Sequence, residues 1–129
     1  MYYLDTSAVM KLMTDEAESK AFRMWFAKQG QPAVSCDLLR TELLRASRRV
    51  GLRYMPRARE VLGAITLMTV PTSVFERAAL LEPPELRSLD ALHLASALVL
   101  GDELTAFVTY DARLAEAAAR NGVPVFAPG

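Results

Sequence analysis

Four acidic residues stand where an α/β chain would carry them to one place: Asp5, Glu42, Asp90 and Asp111. Asp5 ends the strand-suited run Tyr2-Tyr3-Leu4, and Asp111 ends "AFVTY". Glu42 lies one turn into a helical segment, and Asp90 lies in the first turn of another. Gathered carboxylates repel and raise each other's pKa unless a cation holds them together. Ligands that are all oxygen, with no Cys cluster and no His pair, select a hard divalent ion, Mg²⁺ or Mn²⁺. Such an ion orients phosphate and activates water, so phosphodiester hydrolysis is the leading chemistry.

Each acid also has a structural use. Asp111 is a good helix N-cap. Asp90 in a first helical turn is favoured by the helix dipole by ~0.3–1 kcal/mol. Glu42 can pair with Arg45 or Arg49 on a solvated helix face, worth only ~0.2–0.5 kcal/mol. Asp5 is different, because Thr6 and Ser7 can supply the cap and an unpaired buried carboxylate costs several kcal/mol. Its position therefore points to a metal ligand. Asp90 sits in "LRSLDALHLASALVL", among apolar neighbours that turn it inward or toward a cleft.

The elements that would position these acids follow from periodicity. Strand-prone runs fall at Tyr2–Leu4, Ala33–Cys36, Leu67–Val70, Ala106–Thr109 and Val125–Phe126. Helical patterns cover Ser7–Met13, Glu16–Lys28, Asp37–Leu52, Pro56–Ile65, Ser73–Leu81, Ser88–Leu100 and Ala112–Asn121. Ser88 and Asp111 mark starts, and Gly30, Gly101 and Gly122 mark stops. Leu39, Leu43, Ala46 and Val50 form one buried stripe. The helix from Ser88 is apolar on more than one face, through Leu89, Leu92, Ala95 and Val99 with Leu94 and Leu98 beside them. Strands alternating with helices imply crossovers and a mostly parallel sheet covered on both faces, a three-layer α/β/α fold. In such a sheet, sites form beyond the carboxyl ends of the strands.

The 129 residues suit one domain spanning 1–129, with 52% hydrophobic and 23% charged residues excluding a disordered chain. No apolar run approaches the roughly 18 residues of a membrane span, and Asp5 interrupts any leader-like stretch. Cys36 is the only cysteine, which excludes an internal disulfide and a Cys-based zinc cluster. A cytoplasmic protein is the expectation. Net charge is zero, yet twelve of the fifteen cations are Arg and seven of these lie from Arg40 to Arg59. Arg45, Arg48, Arg49 and Arg53 recur at helical spacing; Arg45 and Arg49 are candidate phosphate contacts, with a solvent face or a partner surface as the alternative. His93, the only histidine, is expected to pack and bond rather than act as a base.

The motifs "YLDTSAV", "LLRTELLRA", "LRSLDALHLASA" and "FVTYDARL" together resemble a PIN domain, in particular the small VapC-like ribonuclease toxins of bacterial toxin–antitoxin pairs. The resemblance covers essentially the whole chain. It implies a five-stranded parallel sheet ordered 3-2-1-4-5, which places the first and fourth strands side by side. It implies that Asp5, Glu42, Asp90 and Asp111 bind one or two Mg²⁺ or Mn²⁺ and cleave RNA, with Ser7 and Thr109 orienting the carboxylates or bound water. A homodimer and a cognate antitoxin are further implications. A phosphoacceptor domain is disfavoured because "TLMTVPTS" has no acid after the third strand, and a D-x-D phosphatase because Asp5-Thr6-Ser7 lacks the second Asp. The remaining alternative is a PIN fold kept only for protein or RNA binding.

Overall fold

A computed structural model describes residues 1–129. Its order is β1 (Tyr2–Leu4), α1 (Thr6–Met13), α2 (Ser19–Lys28), β2 (Ala33–Cys36), α3 (Leu38–Val50), α4 (Met55–Gly63), β3 (Thr66–Met68), α5 (Thr72–Ala79), α6 (Ser88–Leu98), β4 (Ala106–Val108), α7 (Ala112–Arg120) and β5 (Val125–Phe126). All strand pairs are parallel and the sheet order is β3-β2-β1-β4-β5. The three-layer α/β/α architecture and the 3-2-1-4-5 order are both as expected.

The period-two alternation of β1 divides the core. Leu4 packs with Ala8, Leu12, Phe22, Leu39, Leu43 and Leu62, so α1 to α4 cover one face. Tyr3 packs with Leu94, Phe107, Leu114 and Ala118, so α6 and α7 cover the other, with α5 laid against α6. Tyr3 and Phe107 stack across neighbouring strands, ring centroids 5.4 Å apart. In α6 every residue from Ala91 to Ala97 is buried, as a helix squeezed between the sheet and α5 requires.

Several boundaries differ from the sequence expectation. α3 stops at Val50 because Gly51, at φ 155°, takes a backbone conformation that side chains disfavour and closes the helix. Val50 is consequently exposed and leaves the buried stripe to Leu39, Leu43 and Ala46. Leu89 and Val99, near the two ends of α6, are also exposed. Ser88 begins α6 without capping it; Arg87 holds the cap position and makes no side-chain cap bond. At the end of α7, Gly122 adopts φ 76° in the left-handed region, as a helix stop requires.

Register sets the site. Tyr2, Tyr3 and Leu4 pair with Ala106, Phe107 and Val108, and the Asp5 amide donates to the Val108 carbonyl at 3.1 Å. Asp5 and Thr109 therefore leave the sheet side by side at its carboxyl edge.

Candidate active site at the carboxyl edge of the sheet

Asp5 accepts the most hydrogen bonds of the four acids, and the structure gives it, rather than Thr6 or Ser7, the cap of α1. It is the N-cap of α1, with Oδ1 accepting from the Ala8 amide at 2.9 Å. Ser7 does not cap; its hydroxyl donates to the same Oδ1 at 2.7 Å. Thr6 does not cap either and donates to Glu42 Oε1 at 2.8 Å. On the other oxygen, Thr109 Oγ1 donates to Asp5 Oδ2 at 2.6 Å. The carboxylate is 3% exposed, and three donors offset only part of its desolvation. Four lone-pair directions less three donors leave one, on Oδ2. Burial raises the Asp5 pKa, and the bonds from Thr109, Ala8 and Ser7 oppose that rise.

Ser7 and Thr109 are held from behind. The Tyr110 amide donates to Ser7 Oγ at 2.9 Å, and the Asp111 amide donates to Thr109 Oγ1 at 3.1 Å. Both hydroxyl protons are then spent on Asp5. This explains why the two oxygens lie 3.2 Å apart with no proton left to share. Asp111 caps α7, with Oδ1 accepting from the Leu114 amide at 3.0 Å. Thr109 thus ties the carboxylate of β1 to the backbone of the acid that follows β4.

Asp90 and Asp111 share one cation. Arg87 Nε donates to Asp90 Oδ2 at 3.2 Å, and Arg87 Nη2 donates to Asp111 Oδ2 at 3.3 Å. Arg87 was not among the residues singled out by sequence, although its i,i+3 spacing to Asp90 was a readable signal. It lines a cleft of about 220 Å³ with Asp90, Arg113, Glu116 and Arg120.

Glu42 stands apart from this pair. It makes no ion pair with Arg45 or Arg49; its Oε1 accepts from Thr6 and from His93 Nε2, the latter at 2.7 Å. His93 Nδ1 lies 2.8 Å from the Tyr3 hydroxyl and 3.7 Å from Cys36 Sγ. Burial alone would depress His93, but hydrogen bonds and charge from Cys36 and Glu42 outweigh it and raise its pKa to about 10. Burial likewise works against Glu42 ionisation, and the bond and charge of His93, with the Thr6 bond, prevail and lower its pKa. His93 is therefore an imidazolium paired with a carboxylate, bonded as expected and not free to act as a base. Glu42, Thr6 and Ser7 line a second cleft of about 380 Å³ with Arg45, Arg49 and Leu89.

No three Asp, Glu, His or Cys side chains converge on one ligating point. The donor set nevertheless fits a hard divalent ion of the magnesium kind, which takes one or two carboxylates and completes its shell with water and phosphate. Asp90 and Asp111 already direct Oδ2 atoms to a common cation, and Thr109 ties Asp5 Oδ2 to the backbone amide of Asp111. No helix is long and apolar enough to cross a membrane.

Comparison with known proteins identifies the family. The profile described as PIN domain matches residues 2–120. Ribonuclease VapC47 of Mycobacterium tuberculosis (strain CDC 1551 / Oshkosh) is 40% identical over 133 residues, covering 100% of this chain and 98% of the relative. Ribonuclease VapC46 of Mycobacterium tuberculosis (strain ATCC 25618 / H37Rv) is 41% identical over 126 residues, covering 98% and 96%. Among solved structures, the Mycobacterium tuberculosis VapC20 Sarcin-Ricin loop cleaving toxin superposes with a TM-score of 0.76 at 17% identity, covering 95% of this chain and 96% of that one. A toxin–antitoxin complex from Klebsiella pneumoniae superposes with a TM-score of 0.65 at 20% identity, covering 86% and 87%. The two superpositions concern the fold.

Proposed function

Because this chain belongs to the PIN-domain family, we propose that it is a Mg²⁺- or Mn²⁺-dependent endoribonuclease that acts as the toxin of a toxin–antitoxin pair. The observation that carries this reading is the convergence of Asp90 and Asp111 on one cation position, with Asp5 tied through Thr109 to the Asp111 backbone. A bound Mg²⁺ or Mn²⁺ supplies Lewis-acid polarisation of the phosphate and acidifies water. Asp90 and Asp111 would hold the ion, with Asp5 Oδ2 as a further ligand.

The chain's own residues supply the rest. Ser7 and Thr109 hold Asp5 in its acceptor-only form and fix the direction of its remaining lone pair. His93 and Thr6 lock Glu42 through Oε1, which leaves Oε2 to face the cleft as a ligand or a water-orienting carboxylate. Arg45 and Arg49 line that same cleft and would meet the RNA backbone. Residues 1–129 act as one domain in the cytoplasm. A second copy of the chain and a cognate antitoxin are the expected protein partners.

The test is cleavage of structured RNA by antitoxin-free protein. Activity should require Mg²⁺ or Mn²⁺, stop with EDTA, and be lost in Asp5→Asn and Asp90→Asn proteins whose circular dichroism is unchanged. Undiminished cleavage by both variants would overturn the assignment. RNA binding without turnover under any metal would favour a binding-only PIN fold.

A further inference from the structure

Arg87 has no place in the chemistry above, yet its guanidinium occupies the position two of the acids point to. Its bonds to Asp90 and Asp111, at 3.2 and 3.3 Å, are longer than the ~2.7–2.9 Å usual for charge-assisted contacts. The side chain is 71% exposed, so no packing holds the head in place. The backbone, by contrast, is fixed at the cap position of α6. The result is a tethered cation that can leave two carboxylates at little cost.

We infer that Arg87 is an exchangeable counter-ion: it shares Asp90 and Asp111 with the divalent metal, and when the metal takes them the guanidinium turns to a phosphate of the RNA. This rests on the metal-site reading given above. Without a positive charge, Asp90 and Asp111 would repel and splay; Arg87 keeps them together. A divalent ion at the same oxygens repels the guanidinium and takes its acceptors. The displaced head stays within the cleft that Arg113 and Arg120 also line. Its planar donor fork then finds in a phosphate diester the acceptors it has lost. The released charge thus adds to substrate binding only in the metal-loaded enzyme, which couples RNA affinity to metal occupancy.

Two readouts test this on full-length protein: Mn²⁺ affinity without RNA, from the free-ion electron paramagnetic resonance signal, and kcat and KM on a short RNA at saturating Mn²⁺. Arg87→Gln should bind Mn²⁺ about three- to tenfold tighter, the size expected from removing one charge near a divalent ion in a solvated site. The same variant should raise KM by about three- to tenfold with kcat within about twofold, as loss of one phosphate contact predicts. Arg87→Lys, which keeps the charge but not the fork, should retain the wild-type Mn²⁺ affinity and show an intermediate KM. Mn²⁺ affinity that is unchanged or weaker in Arg87→Gln overturns the exchange, and an unchanged KM overturns the phosphate role. In either case, wild-type protein that binds Mn²⁺ and cleaves leaves the ribonuclease reading standing. Wild-type protein that binds no Mn²⁺ overturns both.

Discussion

Replacing Glu42 by Gln removes the counter-charge of His93 while nearly preserving shape and the Thr6 contact. His93 is 1% exposed and its pKa is raised from an ordinary 6.5 to about 10. A raised folded pKa adds stability that is complete below pH 6.5 and lost as pH climbs toward 10. The full shift corresponds to an upper limit of roughly 4–5 kcal/mol, at about 1.4 kcal/mol per pH unit. Cys36 shares in raising the pKa, and Glu42 is partly exposed, so the share due to Glu42 is about 2–3 kcal/mol. Glu42 itself has a lowered pKa, so its own contribution is present above about 4.5 and is lost as pH falls below that. Urea unfolding of wild type and Glu42→Gln across pH 5 to 10 measures this directly. The variant should be less stable by about 2–3 kcal/mol near pH 6, and the difference should shrink below about 1 kcal/mol by pH 9.5. A difference that is constant with pH, or absent, would refute the buried imidazolium–carboxylate pair.

Thr109→Val deletes one donor to a buried carboxylate, and should lower stability at pH 7 by ~1.5–3 kcal/mol in chemical denaturation. Because burial already raises the Asp5 pKa and Thr109 opposes it, the same variant should shift the acid limb of the pH–rate profile upward. An unmoved limb would show that Asp5 ionisation does not govern activity. Arg45→Ala and Arg49→Ala should raise KM and reduce the slope of log affinity against log salt by about 1 each. Equal slopes would assign these arginines to solvent or to the antitoxin.

Most of the fold was legible because strand and helix periods differ sharply in this chain. Tyr2–Leu4, Ala33–Cys36 and Val125–Phe126 are strands at the boundaries expected of them. The order of the sheet came from the resemblance, since periodicity does not say which strands pair. The acids after β1 and β4 were placed together by that order, and the register of Leu4 with Val108 makes it physical. Three features were not readable. Asp5 caps α1 because the strand-to-helix turn points its carboxylate back at the Ala8 amide, an outcome that "DTS" leaves open among three candidates. Glu42 bonds His93 across the edge of the sheet, between helices on opposite faces, where helical spacing suggested Arg45 or Arg49 instead. Val50, Leu89 and Val99 fit the apolar stripes, but sit at or near helix ends where the covering layer stops.

On the reading proposed here, the carboxylates of Asp90 and Asp111 hold the ion that RNA cleavage requires. Anomalous diffraction from crystals of active, antitoxin-free protein grown with Mn²⁺ tests it most directly. An anomalous peak is expected within ligating distance, about 2.0–2.2 Å, of carboxylate oxygens of Asp90 and Asp111, with Arg87 turned away from them. A protein that cleaves RNA with Mn²⁺ yet shows no peak at these oxygens would contradict that reading.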